Sequence, residues 1–121
     1  MVPKVEGKLM AKTIHEYARK WQNELGLLNW EISIKESSSN EDRAWVGSNT
    51  EGRIATIFYD KDWYKHATMK EIDRVMFHEM CEILFSNIRM DMCRFYSESH
   101  VQERVHEIIR VLENKLLGLE V

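Results

Sequence analysis

Thr68-Met69-Lys70-Glu71-Ile72-Asp73-Arg74-Val75-Met76-Phe77-His78-Glu79-Met80-Cys81-Glu82-Ile83-Leu84-Phe85 is the stretch that decides how the rest of the chain is read. Thr68 followed three residues later by Glu71 is a capping box, so a helix opens here. Phe77, Met80, Cys81, Leu84, Phe85 and Ile88 recur at helical spacing, and Ile72, Val75 and Met76 widen the apolar surface, which predicts a helix running to about Arg89. A helix that is apolar nearly all round belongs in the middle of a domain. His78, Glu79 and Glu82 are then the exceptions that need a reason, because carboxylates on a central helix are costly unless paired or metal-bound.

His78 and Glu82 stand four residues apart, so their side chains project to the same side of the helix, one turn from each other. A Glu directly after the first of two such ligands sits beside a metal's open position, where it can take a proton from a bound water. The His-Glu-x-x-His zinc helix works this way, with a third ligand supplied from elsewhere in the chain. Here the segment reads His78-Glu79-Met80-Cys81-Glu82, with Glu in the second ligand position. The pentapeptide leaves two outcomes open. Either this is a metal helix, or His78 is a core histidine while Glu79 and Glu82 face solvent or pair with Arg74, Arg89 or Arg94.

Working outward, Thr13 and Glu16 form another capping box ahead of Ile14, Tyr17, Ala18, Trp21 and Leu25, an amphipathic helix that Gly26 stops. Trp30, Ile32 and Ile34 alternate with polar residues in the period of a half-buried strand, and residues 36–43 form a polar, serine-rich loop. Residues 44–48 and 53–59 are two further strands, joined by a hairpin through Asn49-Thr50-Glu51-Gly52. Residues 60–67 read as a loop with Trp63 and Tyr64 tucked against the body. Past the central helix, residues 90–96 read as an irregular connection. A last helix follows, with Val101, Val105, Ile108, Ile109, Leu112 and Leu116 on one face and Gly118 at its end. This order predicts an α+β fold: an N-terminal helix, a three-stranded mainly antiparallel sheet, the central helix and a C-terminal helix, in a single domain over residues 1–121.

Composition narrows the function. With 44% hydrophobic and 31% charged residues in 121, the chain suits one soluble globular domain. A net charge of -3 gives no reason to expect binding to nucleic acid or to an acidic membrane. No apolar run is long enough for a transmembrane helix, and the first residues lack the apolar core of a secretory signal. Two cysteines, Cys81 and Cys93, are too few for a disulfide scaffold, which makes a reducing cytoplasm the expected compartment.

The layout resembles a group of small phage and prophage proteins described as metallopeptidases of the zincin-like type. Leu25-Gly26-Leu27-Leu28-Asn29-Trp30-Glu31-Ile32 carries the likeness at the first strand, Arg53-Ile54-Ala55-Thr56-Ile57 at the strand before the metal helix, and Val75-Met76-Phe77-His78-Glu79-Met80 at that helix. Glu98-Ser99-His100-Val101-Gln102-Glu103-Arg104-Val105 resembles the start of the final helix of that group. The resemblance covers about residues 13–117 and departs from the pattern at Glu82, where that group has its second His.

The resemblance implies a metal-dependent hydrolase, most readily a peptidase acting on a peptide or protein, with Glu79 as general base and His78, Glu82 and Glu98 as metal ligands. A helix beginning near Ser97 would put Glu98 on the inward stripe. His100 is the alternative third ligand and Glu103 a further one, while a capping box of Ser99 and Gln102 would leave Glu98 outside the helix. Zinc is the expected ion, with manganese or iron open to a carboxylate-rich site. Two carboxylates around a divalent ion lower the site's charge to about zero and weaken its pull on water. A non-catalytic phage or prophage accessory protein that binds a host protein, in the host cytoplasm, is therefore the competing expectation.

Other constellations carry less. Glu103 and His106 have di-iron spacing, but a four-helix bundle with a second such motif is missing, so a solvated face is expected there. Cys81 reads as a small core residue or a soft ligand. His15 and His66 lack partners at useful spacing. Trp45, Trp63, Tyr64 and residues 90–96 could line a substrate cleft or pack into the core.

Overall fold

The computed structural model describes residues 13–38 and 42–118. Its elements are α1 (Ile14–Glu24), β1 (Glu31–Ser37), β2 (Ala44–Asn49), β3 (Ile54–Asp60), α2 (Lys61–His66), α3 (Met69–Leu84), α4 (Ser86–Met92) and α5 (Glu98–Leu117). The fold is α+β, as the order of periodicities predicts.

Both capping boxes form. The Thr13 hydroxyl accepts from the Glu16 amide while the Glu16 carboxylate accepts from the Thr13 amide, and Thr68 and Glu71 repeat the exchange at the start of α3. The sheet, expected to be mainly antiparallel, is mixed, in the order β1-β3-β2. β2 pairs antiparallel with β3 across the expected hairpin, and β1 pairs parallel with β3. The chain reverses between β1 and β2 and again between β2 and β3, so β3 runs in the direction of β1. β3 carries the most continuous apolar run, Ile54-Ala55-Thr56-Ile57-Phe58-Tyr59, and takes the central place that such a run favours. In register, Ile32 beside Ala55 and Ile34 beside Ile57 turn to the helix layer.

α3 lies across that layer, with Val75, Met76, Phe77, Met80, Cys81 and Ile83 all buried. α1 packs along it, where Trp21 meets Phe77 edge-to-face at 4.8 Å and donates its indole N–H to Asp73. Residues 60–67 hold a short helix rather than a loop, because the Asp60 carboxylate accepts from the Trp63 amide and caps α2. Trp63 and Tyr64 are nevertheless tucked in against the core as expected.

The helix expected to reach Arg89 breaks at Phe85, whose φ of -90° and ψ of 4° end α3 and open α4. No Gly or Pro announces this break. The Ser86 hydroxyl donates to the Ile83 carbonyl, a local bond that competes with helix continuation. α5 begins after Ser97, whose hydroxyl accepts from the His100 amide, and closes on left-handed Gly118. Val101, Val105 and Ile109 are its buried stripe, whereas Ile108 and Leu116 are exposed. Among the described residues, no helix is long and apolar enough to cross a membrane.

Candidate metal centre

α3 delivers His78, Glu79 and Glu82 to the side on which α5 crosses it. The His78 Nε2 and Glu82 Oε2 atoms lie 3.4 Å apart, the i,i+4 neighbours that the sequence spacing predicts. α5 adds His106, whose Nε2 is 2.5 Å from the same Glu82 oxygen across 24 residues of chain. The two imidazole rings stand 5.2 Å apart. One ligand atom from each of His78, Glu82 and His106 falls within 4.8 Å of the others.

A second carboxylate supports this group. The His78 Nδ1–H donates to Glu113 at 3.0 Å, which leaves Nε2 directed at Glu82 and His106. Glu113 is buried one heptad along α5 from His106, so one helix supplies both a candidate ligand and the acid that orients its partner. Arg89, returned toward α3 by the break at Phe85, donates to Glu82 Oε1 and, at 3.1 Å, to Gln102. Glu82 thus has one oxygen held by a guanidinium and the other facing two imidazoles.

The charges respond to this crowding. Burial alone would lower the pKa of His78, but hydrogen bonds to Glu113 and Glu82 outweigh it and raise the ring to about 9. Burial would raise Glu82, yet His78, His106 and Arg89 hold it down to about 2. Glu79, 8% exposed, is pushed up to about 7 by burial, with Glu82 and Asp42 adding to the shift and His78 opposing it.

The donor set suits a divalent ion. Two imidazole nitrogens and one carboxylate oxygen are the complement of a catalytic zinc site with one position open. Bonds of about 2.0–2.1 Å in tetrahedral array place donors roughly 3.4 Å apart, close to the His78–Glu82 separation and wider than the Glu82–His106 one. An ion would therefore part Glu82 from His106 slightly.

Of the residues singled out from sequence, His78 and Glu82 come together and Glu79 is buried beside them. Glu98 is not in the group. It is exposed in the first turn of α5, eight residues before His106, a rise of about 12 Å along the axis. It still lines the same open groove, of about 1160 Å³, together with Trp45, Met90, Cys93, Ser99 and Gln102. His100 is half-buried with its ring against Tyr96, and Glu103 is exposed. Cys81 is fully buried in the core.

His106 is the residue that sequence reasoning passes over, since helical spacing sets it beside Glu103 on a face that looks solvated. The available signal was Gln102, His106 and Glu113 bordering the Val101-Val105-Ile109 stripe, polar residues recurring along the inward edge.

No protein-family profile matches the chain, and no curated protein matches it. Among solved structures, it is similar to the crystal structure of the metallopeptidase zymogen of Methanocaldococcus jannaschii, jannalysin. The TM-score is 0.48 and the identity 15%, over 84% of this chain and 92% of that one.

Proposed function

We propose that this protein is a metal-dependent hydrolase acting on peptide bonds, with zinc as its ion. His78, Glu82 and His106 would hold the ion, and Glu79 would act as general base. The observation that carries the reading is the meeting of two imidazoles and a carboxylate from different helices beside a buried glutamate, at the wall of an open groove.

The ligand set changes the charge expected for the site. His78, Glu82 and Glu98 would bring it to about zero, whereas His78, Glu82 and His106 leave about +1, the value for two His and one Glu. The carboxylate and the second imidazole have exchanged helices, and the total is kept. Zinc, when bound, lowers the pKa of water to near 7 and stabilises a developing oxyanion.

The chain's own residues do the rest. Glu113 fixes the His78 ring, and Arg89 holds Glu82 Oε1 so that Oε2 faces inward. Glu79 takes a proton from the attacking water and passes it to the leaving amine. Trp45 and Met90 offer apolar surface along the groove for the substrate chain.

The test is metal content followed by turnover. Protein purified without chelator should hold near-stoichiometric zinc, and Glu79→Gln should keep that zinc while losing cleavage of a mixed peptide pool. Cleavage that survives the substitution overturns the assignment of Glu79.

A second reading has one observation behind it. Arg89, His78 and His106 already neutralise Glu82 through hydrogen bonds, an ion-pair network complete in itself. A non-catalytic protein that binds a host protein could keep such a network for rigidity. Failure to take up zinc or manganese would favour that reading.

A further inference from the structure

Adjoining the groove, and sharing Asp42, Ala44, His78 and Glu79 with it, lies a smaller recess of about 340 Å³. Its walls come from three places in the chain. Asp42, Arg43 and Ala44 stand at the start of β2, Arg74, Val75, His78 and Glu79 on α3, and Arg110 and Glu113 on α5. Arg43, Arg74 and Arg110 thus meet at one opening beside the general base. Among the described residues none of the three guanidinium groups is in a salt bridge.

The acids of the recess are otherwise occupied. Glu113 accepts from His78, Glu79 is buried beside His78, and Asp42 has an interaction of its own. Three guanidinium groups share this opening with three carboxylates, but Glu113 is engaged with His78 and Arg43 acts on the buried Glu79, which leaves Arg74 and Arg110 as the guanidinium groups without an ion pair among the described residues. Guanidinium is also the side chain whose forked donors match a carboxylate.

We propose that this recess is a specificity subsite that takes a substrate carboxylate, with Arg74 and Arg110 as its principal contacts and Arg43 at the rim. The proposal rests on the peptide-hydrolase reading and names the substrate class for that site: peptides with an acidic group close to the scissile bond. The carboxylate can belong to an acidic side chain or to a free chain end, since both present the same two oxygens.

Binding and turnover are measured separately. Fluorescein-labelled hexapeptides carrying Glu or Gln at a central position, each with a free or an amidated C-terminus, are titrated by anisotropy against zinc-loaded Glu79→Gln protein. The same peptides are then assayed for cleavage by the unsubstituted protein. The expected result is about tenfold tighter binding of a carboxylate-bearing peptide than of its neutral counterpart, from two partly exposed charge pairs. Rising salt should shrink the difference. Arg74→Gln and Arg110→Gln should bring the ratio toward one, with zinc content and thermal unfolding of the same samples confirming the fold.

A preference for Glu over Gln in amidated peptides assigns the side chain, and a preference confined to free C-termini assigns the chain end. Equal binding of all four peptides, or a preference that survives both arginine substitutions, overturns the subsite whether or not cleavage occurs. A preference without cleavage keeps the subsite and overturns the hydrolase reading.

Discussion

His106→Ala is the substitution that tests the ligand set most directly. The His106 ring reaches Glu82 Oε2 from another helix, so its loss leaves only His78 and Glu82 to hold an ion. Removing a partner one shell beyond the ligands costs about 10–100-fold in metal affinity. Losing a ligand itself should cost more than about 100-fold, roughly 3 kcal/mol of binding free energy. The assay is competition for zinc against a chromophoric chelator near neutral pH, with far-ultraviolet circular dichroism to show that α5 is still formed. Glu98→Gln is the matched comparison, because Glu98 is exposed two helical turns from His106, and it should shift affinity by less than about threefold. Glu113→Ala should fall between them at about 10–100-fold, because it removes the acceptor that orients the His78 ring. A large loss in Glu98→Gln with none in His106→Ala would refute the argument and restore the ligand set expected from the sequence.

Two further outcomes follow from the same geometry. In chelator, the protonated His78 ring stabilises the fold by binding Glu82 and Glu113. That contribution is full below pH 6.5 and is lost as the pH rises through about 9. Urea unfolding of metal-free protein should show a fall of about 1–2 kcal/mol across this window, after allowing for solvent screening of a ring that is 29% exposed, and a His78→Ala variant that keeps the same slope would contradict it. Thiol labelling should modify exposed Cys93 in the native protein and spare Cys81, which is 0% exposed and whose thiol burial pushes up to about 12; equal labelling of both before urea is added would show that α3 is not the packed core helix described.

The elements most legible in the sequence are those whose signals are local. Thr13 with Glu16 and Thr68 with Glu71 announce their helices, and the alternation of Trp30, Ile32 and Ile34 announces β1. The break at Phe85 escapes because it is made by a backbone conformation and a Ser86 hydroxyl bond, without Gly or Pro to mark it. The parallel ladder escapes because periodicity says which face a strand buries and nothing about its neighbour. At the site, the i,i+4 pair His78 and Glu82 is legible, since one helix fixes both residues. For His106 and Glu113 the spacing tells only that they border the buried stripe of α5; which side chains they meet is set by the way α5 crosses α3, a long-range packing. A pattern that asks for both imidazoles on one helix overlooks a site that divides them between two.

α5 meets the rest of the protein chiefly through α3 and α4. An ion held between α3 and α5 would close the chain between Glu82 and His106, 24 positions apart, into a loop, as a covalent cross-link does, and would penalise the open chain by the entropy of that closure. The two ends of the loop come together only after the last helix has docked. A chain clipped within α5 ahead of Val105 would lose Val105 and Ile109 from the core together with the His106 donor. Loading with metal would then report that α5 has docked, because the donors of the candidate site come together only in the completed fold.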